Sequence, residues 1–201
     1  MKRSESRILT THTGSLPRSP ELQELLRSRL DPKDGEAEEF RTGVDEGVAD
    51  VVAKQAEIGI DVINDGEQGR VQYATYVKDR LHGFDGEQVL RARPRLDMVD
   101  FPEFATQSGV SSSSTIPWPA CTGPISWKDK DAVQRDIQRL KNATSGVETE
   151  EFFMTAASPG VIANFLPNEH YPSEEEYLYA LADVMKDDYK AIVDSGLLLQ
   201  I

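Results

Sequence analysis

Two short segments carry residue types that could do chemistry. Thr13-Gly14-Ser15, within residues 10–18, sets backbone N–H donors and a hydroxyl around a glycine, a grouping suited to a carboxylate. Asn64-Asp65-Gly66-Glu67-Gln68-Gly69-Arg70 offers an acidic side chain, Glu67, suited to an ammonium. Plainer readings stand beside both. A Gly-Ser-Leu-Pro sequence is also ordinary turn punctuation, and Glu67 could pair with Arg70 at i,i+3 as a surface ion pair. His12 lies beside the first segment, but a lone histidine is more often structural. His82 and His170 have no partner pattern, and Cys121 suits packing better than catalysis. No glycine-rich nucleotide fingerprint, phosphate-binding loop, nucleophile elbow or paired-histidine zinc motif is present.

Both segments follow short β-capable runs, residues 7–11 and 60–63, and those runs alternate with helical patterns. The spacing of Phe40, Val44, Val48, Val51, Val52 and Gln55 predicts a helix over 36–58, with Glu36, Glu38 and Glu39 in its first turn and Gly59 as its stop. Further helices are expected over 73–81 and 131–143. The clearest follows Ser173, whose S-x-x-E box with Glu176 precedes a stripe of Tyr177, Leu178, Leu181, Val184, Met185, Ile192 and Val193, and Gly196 ends it. Strands three, four and five are expected at 116–121, 152–156 and 197–201, the third weakened by Pro117 and Pro119. Residues 71–115 are less regular, and 108–114 read as a small-residue loop.

Strands alternating with helices imply a parallel α/β sheet. Thr13-Gly14-Ser15, Asp65-Gly66-Glu67, Thr122-Gly123-Pro124 and Ser158-Pro159-Gly160 then all fall at strand carboxyl ends, the rim where such folds build their sites. Four βα units and a bare apolar strand fall short of the ~250 residues of a closed (β/α)8 barrel. The expectation is one partial TIM-barrel domain over residues 1–201, with the irregular 71–115 as an insertion, truncated after its fifth strand.

A net charge of −13 repels phosphate backbones and acidic membrane surfaces, so nucleic acid is excluded as a natural partner. Cys121 alone cannot make an intrachain disulfide, and no apolar run resembles a signal peptide or a membrane span, which points to a cytoplasmic setting. On the same ground the Asn142-Ala143-Thr144 triplet is read as a chance glycosylation pattern.

Taken in order, these segments resemble the cobalamin-independent methionine synthase family. The resemblance is carried by residues 10–18, Phe40-Arg41-Thr42-Gly43, residues 55–62 with Gly66-Glu67-x-x-Arg70, Leu81-His82-Gly83-Phe84, Thr122-Gly123-Pro124 and residues 196–201. It spans nearly the whole chain and is greater to the shorter, single-barrel relatives than to the two-barrel enzymes. It implies a methionine synthase/uroporphyrinogen decarboxylase-like barrel in which Thr13, Gly14 and Ser15 bind homocysteine and Glu67 binds its ammonium. It also implies methyl transfer from a methyl-folate such as 5-methyltetrahydropteroyltriglutamate, with zinc and without cobalamin. The family's zinc ligands and catalytic acid fall beyond residue 201, so no metal is assigned here, and the family's folate-stacking aromatic is not carried onto Trp127. Two other readings stay open: thiol alkylation like that of the epoxyalkane:coenzyme M transferases, and a non-catalytic truncated barrel. The sequence leaves oligomeric state open.

Overall fold

The computed structural model describes residues 1–28, 38–88, 99–107 and 118–201. Glu36, Ile116, Pro117 and the expected loop 108–114 lie outside them. Helix α1 (Pro20–Ser28) opens with proline, whose missing N–H costs nothing at a first helical position, and buries Leu22 and Leu26 four residues apart. Helix α2 (Glu38–Glu57) buries Phe40, Val44, Val48, Val52 and Gln55, one face at intervals of three to four. Gly59 stops it in the left-handed region, and the chain turns into β1 (Val62–Asn64).

The chain then makes an excursion: α3 (Val77–Arg80), β2 (Leu81–Gln88), α4 (Pro102–Gln107) and β3 (Trp118–Trp127). It returns through α5 (Ala132–Ala143), β4 (Glu151–Thr155), α6 (Pro159–Phe165), α7 (Glu174–Asp194) and β5 (Leu198–Gln200). The parallel sheet runs β1-β4-β5, with Ile63 opposite Phe152 and Met154 opposite Leu199. Residues 7–11 extend it only by a bridge from Thr11 to Val62. This is an open arc of the TIM-barrel kind; among the described residues it does not close.

The third strand departs from expectation. It belongs to an antiparallel pair with β2, not to the parallel sheet, so Thr122-Gly123-Pro124 lies inside a hairpin strand and not at the rim. Pro119 and Pro124 explain this: neither donates to a ladder, and a two-stranded ribbon always leaves one edge where that does no harm. At Gly83 (φ +97°) a Cβ would sit 2.8 Å from the Gly123 carbonyl oxygen, so only glycine permits the kink that brings the strands together. The helix expected over 73–81 shrinks to the single turn of α3, because Leu81 already opens β2.

Helix α7 starts as its sequence suggests, with Ser173 Oγ accepting from the Glu176 N–H at 3.1 Å. Its buried stripe differs in two respects. Val193 is exposed, and Asp188 is buried among Tyr177, Leu181, Met185 and Ile192. One apolar core joins α1, α2 and α5 to β1 and β4 through Val52, Ile63, Leu140 and Met154. A second joins the hairpin to α6 and α7 through Leu81, Cys121, Leu166 and Tyr177. Among the described residues no helix is long and apolar enough to cross a membrane.

Candidate functional site

Strand β1 ends in a turn built by its own side chains. Asn64 Oδ1 accepts the Gly66 N–H at 2.6 Å and Asp65 Oδ1 accepts the Glu67 N–H at 2.9 Å. This drives Gly66 to φ +61° and Glu67 to φ +55°. Left-handed backbone costs a non-glycine residue about 1–2 kcal/mol, so neighbouring structure must hold Glu67 there. Arg18 does much of that. Its guanidinium donates to the carbonyls of Glu67 (2.6 Å), Arg70 (2.9 Å) and Gln68 (3.3 Å). The Leu16 N–H donates to the Gly66 carbonyl at 3.0 Å and Gln68 Nε2 to the Leu16 carbonyl at 3.2 Å. The loop after residue 12 and the loop after β1 are thereby sewn together, and a Cβ on Gly66 would press on Leu16 at 3.0 Å.

The joined loops form one wall of a cavity of about 360 Å³ on which Thr13, Gly14, Ser15 and Glu67 all lie, together with Thr155 at the end of β4. Tyr73, packed edge-on against Phe165 at 5.7 Å, also lines it, with residues 156–158, Val161, Gln200 and Ile201. Glu67 is only 3% exposed. Its Oε2 accepts from Ser15 Oγ at 2.6 Å and its Oε1 from Thr155 Oγ1 at 3.1 Å. Among the described residues no cation lies within 4 Å of it, and the surface ion pair with Arg70 does not form. Arg70 turns instead to Thr155, with Nη1 on its hydroxyl (2.9 Å) and Nη2 on its carbonyl (2.7 Å). No described residue takes the N–H of Gly14 or Ser15.

Behind the cavity lies a buried ionic belt. The guanidinium carbons of Arg70 and Arg80 sit 4.4 and 4.7 Å from the centre of the Tyr76 ring. Arg80 also binds Asp136 and approaches Asp188 at 3.6 Å, and Arg139 reaches Asp136 at 3.2 Å. Burial pushes the Asp188 carboxyl up against the pull of Arg80. At Asp136 burial acts the same way, but Arg80 and then Arg70 outweigh it and leave that carboxyl below its ordinary value.

Other residues singled out in the sequence lie elsewhere. His12 offers the site only its backbone carbonyl, to Asn64 Nδ2 at 3.3 Å. His82 is exposed on β2, and His170 packs edge-on against Tyr171. Cys121 is buried in the second core, where burial pushes its thiol up. Trp127 donates from its ring nitrogen to Asp187 at 3.1 Å. A wider groove of about 890 Å³ runs between α1 and α2, but its charged lining is acidic throughout, Glu21, Glu46 and Asp50 among it. Sequence reasoning missed Thr155 and Tyr73. Thr155 had a usable signal, as the last residue of a strand pointing at the rim; Tyr73 had none.

Residues 8–91 match the family model described as the cobalamin-independent synthase catalytic domain. Over that stretch the chain is similar to this family. The matched residues contain the two sewn loops and so most of the cavity's polar wall. A methionine synthase of Sulfolobus acidocaldarius is 26% identical over 188 residues, covering 94% of this chain and 49% of that protein. A 5-methyltetrahydropteroyltriglutamate–homocysteine methyltransferase of Yersinia enterocolitica is 36% identical over 77 residues, 37% of this chain and 10% of that protein. The solved B12-independent methionine synthase of Shewanella sp. W3-18-1, in complex with selenomethionine, superimposes with a TM-score of 0.69 at 22% identity over 94% of this chain and 49% of its own. The last is a likeness of fold. The chain spans about half the length of the curated relatives that it matches along most of its own length.

Proposed function

We propose that this chain provides the amino-acid pocket of a homocysteine S-methyltransferase, in which the homocysteine thiol takes a methyl group from 5-methyltetrahydropteroyltriglutamate or a similar methyl-folate. The observation that carries this reading is Glu67. It is a carboxylate withdrawn from water, with no cation within 4 Å among the described residues, and turned by two hydroxyls toward a cavity. A buried carboxylate without a counter-ion is costly unless a ligand supplies one, and an α-ammonium does. The unclaimed N–H groups of Gly14 and Ser15 on the same wall suit the α-carboxylate of the same ligand. Likeness to named methionine synthases and methyltransferases agrees with the substrate class. The coenzyme M alternative fits less well, because a sulfonate without an ammonium leaves Glu67 unpaired.

In the transfer, the S–CH3 bond forms as the N–CH3 bond of the donor breaks. The electron pair stays on the donor nitrogen, which takes up a proton. The chain's part is positioning: ammonium and carboxylate held at two points fix the direction of the thiol, and alignment of this sort is worth several kcal/mol of barrier. Zinc does not fit the residues described. Among them no group of three His, Cys, Asp or Glu side chains is arranged to hold a metal ion, and Cys121 is sealed in a core. Activation of the thiol is therefore not assigned to any of the described residues. A cytoplasmic setting, with both substrates small molecules, is part of the same proposal.

Incubating the 201-residue protein with methyl-labelled donor and homocysteine, with and without added zinc, tests the activity. Labelled methionine, lost on Glu67→Gln, agrees with the reading. If no methionine forms but homocysteine still binds, the catalytic half of the proposal falls and the pocket remains.

A further inference from the structure

We infer that Thr155 is a positioning and specificity residue that keeps Glu67 available to an ammonium by standing between it and Arg70. The inference rests on the amino-acid pocket proposed above. A hydroxyl has one proton to give. Arg70 Nη1 donates to Thr155 Oγ1 at 2.9 Å, so that oxygen already accepts, and its own proton goes to Glu67 Oε1 at 3.1 Å. Arg70 Nη2 holds the Thr155 carbonyl at 2.7 Å, so one guanidinium grips both the backbone and the side chain of this residue.

The arrangement has a consequence for charge. Arg70 is only 4% exposed, is anchored over Tyr76, and lies three residues from Glu67. Were the guanidinium to reach the carboxylate directly, it would occupy the oxygens an incoming ammonium needs and cancel the charge that attracts it. Thr155 takes up two of the fork's donors and passes on only a hydrogen bond. Glu67 is thus oriented from one side by Thr155 and from the other by Ser15 Oγ at 2.6 Å, yet has no ion-pair partner among the described residues.

The test compares homocysteine with 4-sulfanylbutanoate, the same thiol acid without the amino group. Binding of each is measured by calorimetry to the wild-type chain, Thr155→Val, Thr155→Ser and Glu67→Gln. Valine keeps the shape and removes the hydroxyl. Thr155→Val should lose about tenfold in homocysteine affinity, the ordinary worth of a hydrogen bond to a charged group. Its affinity for 4-sulfanylbutanoate should change less than twofold, and Thr155→Ser should restore discrimination. Equal weakening of both ligands would show a merely structural role, and unchanged discrimination in Thr155→Val would remove the residue from recognition. Either result overturns the inference while the pocket stands, provided Glu67→Gln abolishes discrimination. If the wild-type chain does not prefer homocysteine, the pocket reading fails and the inference goes with it.

Discussion

Replacing Arg80 by methionine should weaken the fold severely, and more at neutral than at acid pH. Methionine fills much of the same unbranched volume and removes the charge. Two carboxylates depend on that charge. Asp188, with a side chain 4% exposed, has Arg80 as its cation within 4 Å, while Asp136 keeps Arg139 at 3.2 Å. Removing one partner of a buried ionic cluster costs about 3–5 kcal/mol, and the surviving Arg139 places the expected loss near the lower figure, about 3 kcal/mol. For a chain of this size that is a fall in Tm of about 6–12 °C. The pH dependence follows from linkage. In the wild type the Asp136 carboxyl sits below its unfolded value, so its contribution is full above about pH 4 and is lost as pH falls through the folded value. In the variant both carboxyls rise. The folded state then holds protons the unfolded state has released, and stability drops as pH climbs from about 4 toward 7. Urea unfolding at pH 5 and pH 7.5 should show the larger loss at pH 7.5, with the slope against denaturant unchanged. Adding Asp188→Asn should recover more than ~1 kcal/mol at pH 7.5. A loss under ~1 kcal/mol, or a greater loss at pH 5, would refute this account of the belt.

Three further outcomes are expected. Gly66→Ala forces a Cβ into left-handed backbone and to 3.0 Å from Leu16, so urea unfolding should show a loss of about 2 kcal/mol; a change within ~0.5 kcal/mol would mean the turn relaxes freely. Arg7, and then the Thr10 N–H and hydroxyl, hold the Asp61 carboxyl far below its ordinary value, so it stabilises the fold above about pH 4 and stops doing so as pH falls through the folded value. Asp61→Asn should therefore be less stable at pH 7 with a flatter acid limb, whereas curves that run parallel from pH 2 to 7 would dismiss the ion pair's role. Ser173→Ala should cost about 1 kcal/mol by removing the cap of α7, and Ser173→Asp should restore it; equal melting of all three proteins would show that packing alone sets the start of that helix.

The parts of the fold legible in the sequence are those where one physical signal dominated. The apolar stripe of α2 and the serine cap of α7 are local and repeat at helical spacing, and both elements form within a residue or two of the expected bounds. β4 was visible as a short apolar run before a small-residue turn, and β5 as an apolar run after the glycine that ends α7. The hairpin was not. Its glycines and prolines break the period-two pattern, and its pairing is decided by a contact between Gly83 and Gly123, forty residues apart. Val193 was misassigned because helical periodicity tolerates either of two adjacent residues on a stripe, while Asp188 was hidden because its burial depends on Arg80 from another element. At the site, Thr13, Gly14, Ser15 and Glu67 could be picked out by chemical type. Thr155 could be placed at the rim by its strand end, but the role of its hydroxyl could not be read, because what it does depends on where Arg70 points.

Where an amino acid sits in the cavity decides whether Glu67 is an ammonium site. A structure of the 201-residue chain with homocysteine, by crystallography or by NMR distance restraints, answers that directly. The expected result places the ammonium nitrogen about 3 Å from the Glu67 carboxylate and the α-carboxylate about 3 Å from the N–H groups of Gly14 and Ser15. Homocysteine seated in the acidic groove between α1 and α2, or lying with its ammonium turned away from Glu67, would contradict it.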